Sequence, residues 1–525
     1  MTPRTSILVK LQSSNQSRKA ISLWRHIVTR NAIVTVLILA ALGPVWGQAD
    51  EEIDPYPLAT CIPSGNEAHI NAALQGSGAA AVLCPSAVFT LNAPVRFTAP
   101  DQQLYTKGLP TGGTRAILRV SSSNITTAID GNGQPGVIVR NIQVDGNRLN
   151  LGYQSGGALL QMGGSGSNQT VKNIRAFDPR SWSIMHFFEG AVTNNTPQCQ
   201  NANISNNTLG PAGTPNGYWA DGISLACGNS MVENNVITDA TDGAIVIFGA
   251  PGSTIQNNTI TAETRQLLGG INMVDYAPLN GNYTGTKVIG NVIDGKGDFI
   301  KVGIAMGPQV WTCSGGLNYG GSVTNNTLKG MNIGYGYAIN GVRNWTVTGN
   351  VDSSRHVGAV GAGCGGAPSQ PAGFQYQYAP SSTLQSEFRL ASLAYVLGVT
   401  EPPILRVAKA PSGCTYMYAD QGLYPNKLLY SCDGRFRLKL LVNGNLALYQ
   451  GTTVLWSSFT AGKASAVAIM QTDGNFAIYD STGAPIWSSG TFNSAGAYLA
   501  VQNDGNVVIY DSANSPVWAT NTCCH

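Results

Sequence analysis

The sequence predicts an all-β protein built from two kinds of repeat in series, and three observations carry that prediction. Short strings rich in Val, Ile and Thr, punctuated by Asn and Gly, recur eight times between Val137 and Val351. A nine-residue string then recurs three times, as LVNGNLALY (441–449), QTDGNFAIY (471–479) and QNDGNVVIY (502–510), at intervals of 30 and 31 residues. Glycine supplies 63 of the 525 residues and charged side chains only 11%, a balance suited to many tight corners and few solvated helix faces. A chain of this length has room for two or three domains and a large core.

The chain opens on a basic leader. Arg4, Lys10, Arg18, Lys19, Arg25 and Arg30 are accompanied by no acid up to residue 31, and an apolar run of 11 follows at 32–42 (AIVTVLILAAL). Gly47, Gln48 and Ala49 end in a small residue before Asp50, so residues 1–49 read as a signal peptide cleaved near Ala49, which makes the mature protein secreted and extracellular. The alternative is an uncleaved N-terminal membrane anchor, but a spanning helix needs ~20 apolar residues and this run is shorter. Cleavage leaves 24 basic against 27 acidic residues, a formal charge near −3. That balance argues against nucleic acid or a membrane surface as a partner of the mature chain.

All ten cysteines follow the leader, an even count that fits disulfides in an oxidising compartment. Proximity in sequence pairs Cys61 with Cys84, Cys199 with Cys227, Cys313 with Cys364 and Cys414 with Cys432, leaving the adjacent Cys523 and Cys524. None of the spacings is a zinc pattern, and the only histidines after the leader are His69, His186, His356 and His525, so no metal or other cofactor is expected. Glycosylation sequons stand at Asn124, Asn168, Asn194, Asn203, Asn206, Asn257, Asn282, Asn325 and Asn344, all before the threefold unit.

Residues 66–74 (NEAHINAAL) read as a short capping helix and 81–95 as the first strands. In the eight strings that follow, the asparagine before the last short strand falls at Asn141, Asn173, Asn207, Asn235, Asn258, Asn291, Asn326 and Asn350. The shortest intervals, 23 and 24 residues, match one turn of a parallel β-helix, and the longer ones a turn with an inserted loop. Asparagines stacked at one corner can hydrogen-bond along a ladder, so they are read as structural, which also discounts the sequons that overlap them. The opening and the stretch TTAIDGNGQPGVIVRNIQVDGNR (126–148) resemble the pectate lyase and polygalacturonase superfamily of right-handed β-helices. That resemblance implies a right-handed parallel β-helix over residues 50–364 and a plant or microbial cell-wall polysaccharide as a partner.

From 365 to 412 the composition shifts to Pro, Ser, Gln and Tyr. This linker is expected to carry one helix at 384–397 (LQSEFRLASLAYVL), stopped by TEPP at 400–403 and suited to covering the open end of the coil stack.

The last unit, 413–525, carries the threefold string. On a strand, Gln502, Asp504, Asn506, Val508 and Tyr510 alternate and so share one face, offering donors and acceptors to sugar hydroxyls and an apolar contact to a C–H face. The pattern Q-x-D-x-N-x-V-x-Y resembles the bulb-type mannose-binding lectins, in which each copy holds one monosaccharide without a metal. The resemblance implies a β-prism of three small sheets, with mannose-containing glycans as partners. The second copy keeps Gln471, Asp473, Asn475 and Tyr479 but has Ala477 at the valine position. In the first, Leu441 replaces the glutamine and Asn443 the aspartate, so binding should rank third, second, first, with the first inactive. Trp456, Trp487 and Trp518 stand at matched positions and are expected to form a shared threefold core.

Two acids in aligned Asp-Gly strings, Asp221 and Asp242, lie 21 residues apart, about one coil, and are the candidate catalytic pair. Adjacent parallel strands are ~4.8 Å apart, close enough for a general acid and base of glycoside hydrolysis. Trp182, Tyr218 and Trp219 could form a stacking platform beside them. The doubled aspartate, Gly-His-Gly and Arg-Ile-Lys strings of polygalacturonases are missing, and an Asp-Gly turn explains both acids equally well. Arg265, Asp275, Asp298 and Lys301 are further polar residues near coil edges with no recognisable arrangement. Two readings stand: a modular protein that binds mannose and cleaves a polysaccharide, as hydrolase or lyase, or a non-catalytic lectin whose β-helix binds glycan or serves as a rigid stalk.

Overall fold

The computed structural model describes residues 54–525 apart from 56, 215–216, 362, 401–405, 408–415, 426, 464 and 481. The expected signal peptide and Cys414 lie outside the described residues.

Residues 80–390 wind into a parallel β-helix. Each coil gives one short strand to each of three sheets, which hold 11, 10 and 11 strands and run parallel throughout. Inside, like residues stack on like. Val139, Val171, Ile204, Val232, Ile255, Val288, Val323 and Val347 are all buried, and the register pairs each with the next through the first sheet. Each fully buried side chain of this kind is worth ~1.5–3 kcal/mol of transfer free energy, so the column is a spine of the fold. The expected capping helix is Glu67–Ala73: the Asn66 side chain accepts from Ala68 N and exchanges a capping-box contact with His69, while Ile70 and Leu74 bury against the first coils.

The asparagine ladder is present, shifted in register at its start. Asn207, Asn235, Asn258, Asn291, Asn326 and Asn350 point inward and are at most 5% exposed. In each of the first five, the backbone N–H and Nδ2 both donate to the next asparagine's Oδ1, at 2.9–3.1 Å. Nδ2 also donates to a carbonyl of the preceding coil, as Asn258 does to Val232 O at 3.0 Å. The row ends on Gln385, whose Oε1 accepts from Asn350 N at 2.9 Å.

Asn141 and Asn173 are not rungs. They are left-handed corner residues (φ 50° and 55°), equivalent to Asn206, Asn234, Asn257 and Asn325 (φ 55–58°), and Ile142 and Ile174 occupy the rung position. In an Asn-Asn pair the first residue takes the corner, which short polar side chains tolerate, and the second turns in. The sequon asparagines Asn206, Asn257 and Asn325 are therefore the exposed members of their pairs, and the ladder does not discount them.

The expected linker helix does not form. Residues of that segment build the last coils instead: Thr383–Leu384 pairs with the strand at Val347, Arg389–Leu390 pairs with Gln375–Tyr376, and only Val396–Gly398 is helical, as a 3-10 turn. The β-helix thus continues past residue 364 to Leu390, because Leu384 and Phe388 can join the core and Gln385 can end the ladder.

Cys61–Cys84, Cys199–Cys227 and Cys313–Cys364 are disulfides, and Cys432 is also disulfide-bonded. Cys523 and Cys524 are exposed thiols with sulfurs 3.1 Å apart.

The C-terminal unit is a β-prism of three sheets, antiparallel but for the edge pair of Arg406–Val407 with Gln421–Leu423. One holds Leu428–Tyr430, Phe436–Leu440, Leu446–Gln450 and Thr453–Ser457; the second centres on Ser465–Met470 and Phe476–Asp480, the third on Tyr498–Val501 and Val507–Tyr510. Trp456, Trp487 and Trp518 meet at its centre, with ring centroids 5.7–5.9 Å apart and edges to faces, as their matched positions predict.

Candidate functional site

The three motif copies share one backbone design. In each, the residue opening the string receives a carbonyl contact from the asparagine four positions on: Leu441 N to Asn445 O, Gln471 N to Asn475 O and Gln502 N to Asn506 O, all 2.8 Å. The tight turn between them needs glycine in the left-handed region, at Gly444, Gly474 and Gly505 (φ 92°, 90° and 90°). The third residue's Oδ1 caps this turn by accepting from the asparagine N–H, at 3.1 Å for Asn443, 2.9 Å for Asp473 and 3.0 Å for Asp504. The asparagine Oδ1 in turn accepts the N–H of Thr460, Thr491 or Thr522 at 3.1–3.2 Å. Asparagine and the turn are thus common structure, present even where the motif is degenerate.

What separates the copies is the opening residue. Gln502 Nε2 donates to Tyr510 Oη at 2.6 Å and Gln471 Nε2 to Tyr479 Oη at 2.9 Å, so amide and phenol stand side by side on one half-buried face. Asn475 Nδ2 adds a contact to Gln471 Oε1 at 3.2 Å. In the first copy Leu441 cannot make this pair, and Tyr449 lies instead under the Arg437 guanidinium at 5.8 Å. Asp473 and Asp504 are exposed, with carboxylates at the rim. Val508 and Ala477 are both buried at this position of their copies, the valine being the larger apolar side chain.

On the β-helix, the third sheet gathers three carboxyls. Asp221 is 4% exposed; its Oδ2 accepts from Ser224 Oγ at 2.7 Å and its Oδ1 from Gly243 N at 3.1 Å. The register pairs Ile223 with Ile245, so Gly243 is level with Asp221 and Asp242 precedes it by one residue, slightly off the one-above-the-other placement the Asp-Gly alignment predicts. Asp275, just past Leu267–Met273, is the third acid and lies within electrostatic reach of both. Burial and then the Asp242 charge push Asp221 well above the carboxylate range, against the two hydrogen bonds that favour its anion. Burial raises Asp242 to about 6, and burial with the Asp242 charge raises Asp275 to about 7.

Two buried polar side chains on this face lack partners. Asn272 is fully buried with neither side-chain atom bonded, and a Cβ on Gly243 or Gly269 would collide with its amide. His186, edge-on to Trp182 and Phe188, has an unbonded Nδ1 and is driven by burial down to about 4. Trp182 O accepts from Asp221 N at 2.8 Å, so that tryptophan belongs to the same corner. Tyr218 and Trp219 are half exposed, and Tyr218 packs on Tyr153 beside Arg148, in a cavity of about 350 Å³ that also includes Arg265 and Asp178. Asp298 and Lys301 do not join the acids; Lys301 Nζ donates to Leu397 O at 2.7 Å. Asp275 had only its polarity in the sequence to mark it, and Asn272 nothing, because both depend on which strand lies beside Asp242.

No family model matches the chain, and no curated protein matches it. Solved lectin structures match over about a fifth of the chain. A lectin from Marasmius oreades is 33% identical over 21% of this chain and 93% of that one, with a TM-score of 0.20. Monomeric monocot mannose-binding lectins from Gastrodia elata match at 33% identity over 21% of this chain and 97% of theirs, with a TM-score of 0.19. The mannose-specific agglutinin of snowdrop, Galanthus nivalis, solved with methyl α-D-mannoside, is 32% identical over 21% of this chain and 98% of its own, at a TM-score of 0.17.

Proposed function

We propose that this is a secreted carbohydrate-binding protein whose third and second motif copies hold mannose-containing glycans. The observation that carries this reading is the amide–phenol pair, Gln502 with Tyr510 and Gln471 with Tyr479, set beside a rim carboxylate and absent from the first copy. Such a face offers donor and acceptor atoms to vicinal hydroxyls over an apolar floor, which is the chemistry a pyranose requires. Titration of the mature protein with methyl α-mannoside tests it: two unequal sites are expected, unaffected by chelators, and absence of saturable binding rejects it. N-terminal sequencing near Asp50 tests secretion, and glycosidase treatment tests glycosylation at the exposed sequons; Asn282, 9% exposed, should be spared.

A second reading rests on the three acids. Between pH of about 6 and about 7, Asp242 is mostly ionised while Asp275 keeps its proton, the division of labour of a base and an acid in glycoside hydrolysis. Asp221, held by two hydrogen bonds, positions the pair through its contact to Gly243. On this reading the β-helix cleaves a plant or microbial cell-wall polysaccharide. A polysaccharide screen for reducing ends or unsaturated products tests it, with Asp242→Asn expected to abolish turnover. Full turnover in that variant removes the acids from the chemistry, and a blank screen favours a binding or stalk role for the β-helix.

A further inference from the structure

The three prism sheets place equivalent residues beside each motif, and the third differs from the other two. Tyr498 is paired with Tyr510 across the strands, where Val467 pairs with Tyr479 and Arg437 with Tyr449. Beside these stands a further tyrosine: Tyr430 opposite Arg437, Tyr424 just after the Leu423–Ala468 pair, and Tyr418 against Tyr498 with centroids 5.7 Å apart.

In the first sheet Arg437 covers Tyr449. In the second, Tyr424 and Val467 are buried with Met331 of the β-helix, and Asn332 Nδ2 donates to Tyr424 Oη at 3.2 Å, so that surface is occupied by the protein itself. Among the described residues the third surface has no such cover. Tyr416 joins Tyr418 and Tyr498 at 6.2 and 5.9 Å, and Tyr498 stacks on Tyr510 at 5.5 Å with planes 24° apart. Tyr418 is 51% exposed. Tyr416 and Tyr498 border a cavity of about 330 Å³ that runs on to Gln502 and Tyr510, and Tyr418 packs against both rings at its edge.

We infer that the shelf formed by Tyr416, Tyr418 and Tyr498 is a second sugar subsite, continuous with the third motif site, which takes the residue glycosidically linked to the mannose held there. Tyrosine faces match the C–H faces of a pyranose, with the Tyr498 hydroxyl turned to Asn514 Oδ1 at 3.1 Å, and a shelf against an existing monosaccharide site recognises a linked sugar rather than a separate one. This rests on the mannose reading of the third copy. The second copy lacks this shelf, since Val467 replaces Tyr498 and Tyr424 is buried against Met331 of the β-helix.

Calorimetric titration of the full mature chain with methyl α-mannoside and with an α-linked mannobioside tests the shelf. In the parent protein the disaccharide should bind the stronger site roughly three- to tenfold more tightly than the monosaccharide. Tyr418→Ala should erase that margin with monosaccharide affinity unchanged, and Tyr498→Val, which installs the residue of the second copy, should do the same to the margin. Equal affinities for the two sugars in the parent protein overturn the shelf and leave the mannose reading standing. So does retention of the full margin in both variants, or a loss in Tyr418→Ala that is equal for both sugars. Binding of neither sugar overturns the mannose reading and the shelf together.

Discussion

Both halves of this protein are built on repeated asparagine, and they use it in opposite ways. Along the β-helix, Asn207 to Asn350 turn inward, lose nearly all contact with water, and spend their amide groups on the neighbouring coils. In the prism, Asn445, Asn475 and Asn506 are half-buried, and each commits its Oδ1 to the neighbouring strand while Nδ2 of Asn475 reaches Gln471 of its own motif. A buried amide must satisfy every atom or forfeit the stability it was meant to supply, which leaves nothing for a ligand. At a surface the same side chain can split its atoms between fold and partner. Repetition of a polar residue therefore signals function only when the pattern beside it also keeps polar groups outside the strand ladder and the turn, as the Gln502–Tyr510 and Gln471–Tyr479 pairs do.

The largest expected effect lies in the ladder. Asn258 accepts from Asn235 N and Nδ2 and donates to Val232 O and Asn291 Oδ1, so Asn258→Ala removes partners from buried groups on both neighbouring coils. It should cost about 3–5 kcal/mol in chemical denaturation, whereas Asn257→Ala at the exposed corner should cost about 1 kcal/mol, the penalty of a left-handed alanine. Equal losses would mean that the inward row does not carry the coils. Asn506→Ala is intermediate: because Oδ1 accepts from Thr520 Oγ1 at 2.9 Å and Thr522 N at 3.2 Å, it should lower stability by about 1–3 kcal/mol as well as weaken mannoside binding several-fold. Asn443→Ala in the first copy should leave mannoside binding untouched; a larger binding loss there than at Asn506 would invert the ranking of the copies.

The acids give a smaller, pH-dependent contrast. Asp242 and Asp275 titrate near 6 and 7 in the fold but near 4 once unfolded, so the native state holds more protons across that interval. The stability this protonation supplies is fully present below pH of about 4 and is lost as pH rises to about 7. The melting temperature of Asp275→Asn should accordingly vary less between pH 5 and 8 than that of the parent. An unchanged profile would show that the carboxyl is not buried as described.

Much of the fold was legible because its periods are long and its punctuation explicit. The strand interval, the capping helix at Asn66, three of the disulfide pairings and the tryptophan core all follow from spacing. Errors of one residue arose where a single asparagine had to be assigned to corner or rung: Asn141 and Asn173 look like the ladder members in isolation, and only the isoleucine after each, buried in the rung position, decides against them. The segment 384–397 has a helical spacing of apolar residues, but an exposed strand edge at Val347 and an unfinished ladder at Asn350 outweigh that local preference. Asp275 showed only as a polar residue near a coil edge and Asn272 not at all for a related reason, since their neighbours come from other coils.

The central claim is that the third copy carries groups the fold does not need, and Gln502→Leu tests it most directly by installing the residue that the first copy has at this position. Measured side by side, mannoside affinity at the stronger site should fall about tenfold or more while the melting temperature of the prism stays within about 2 °C, as expected for loss of one polar partner at a half-exposed site. Unchanged affinity, or a loss of binding that merely follows unfolding, would contradict the claim and return the motif to a strand-stabilising role.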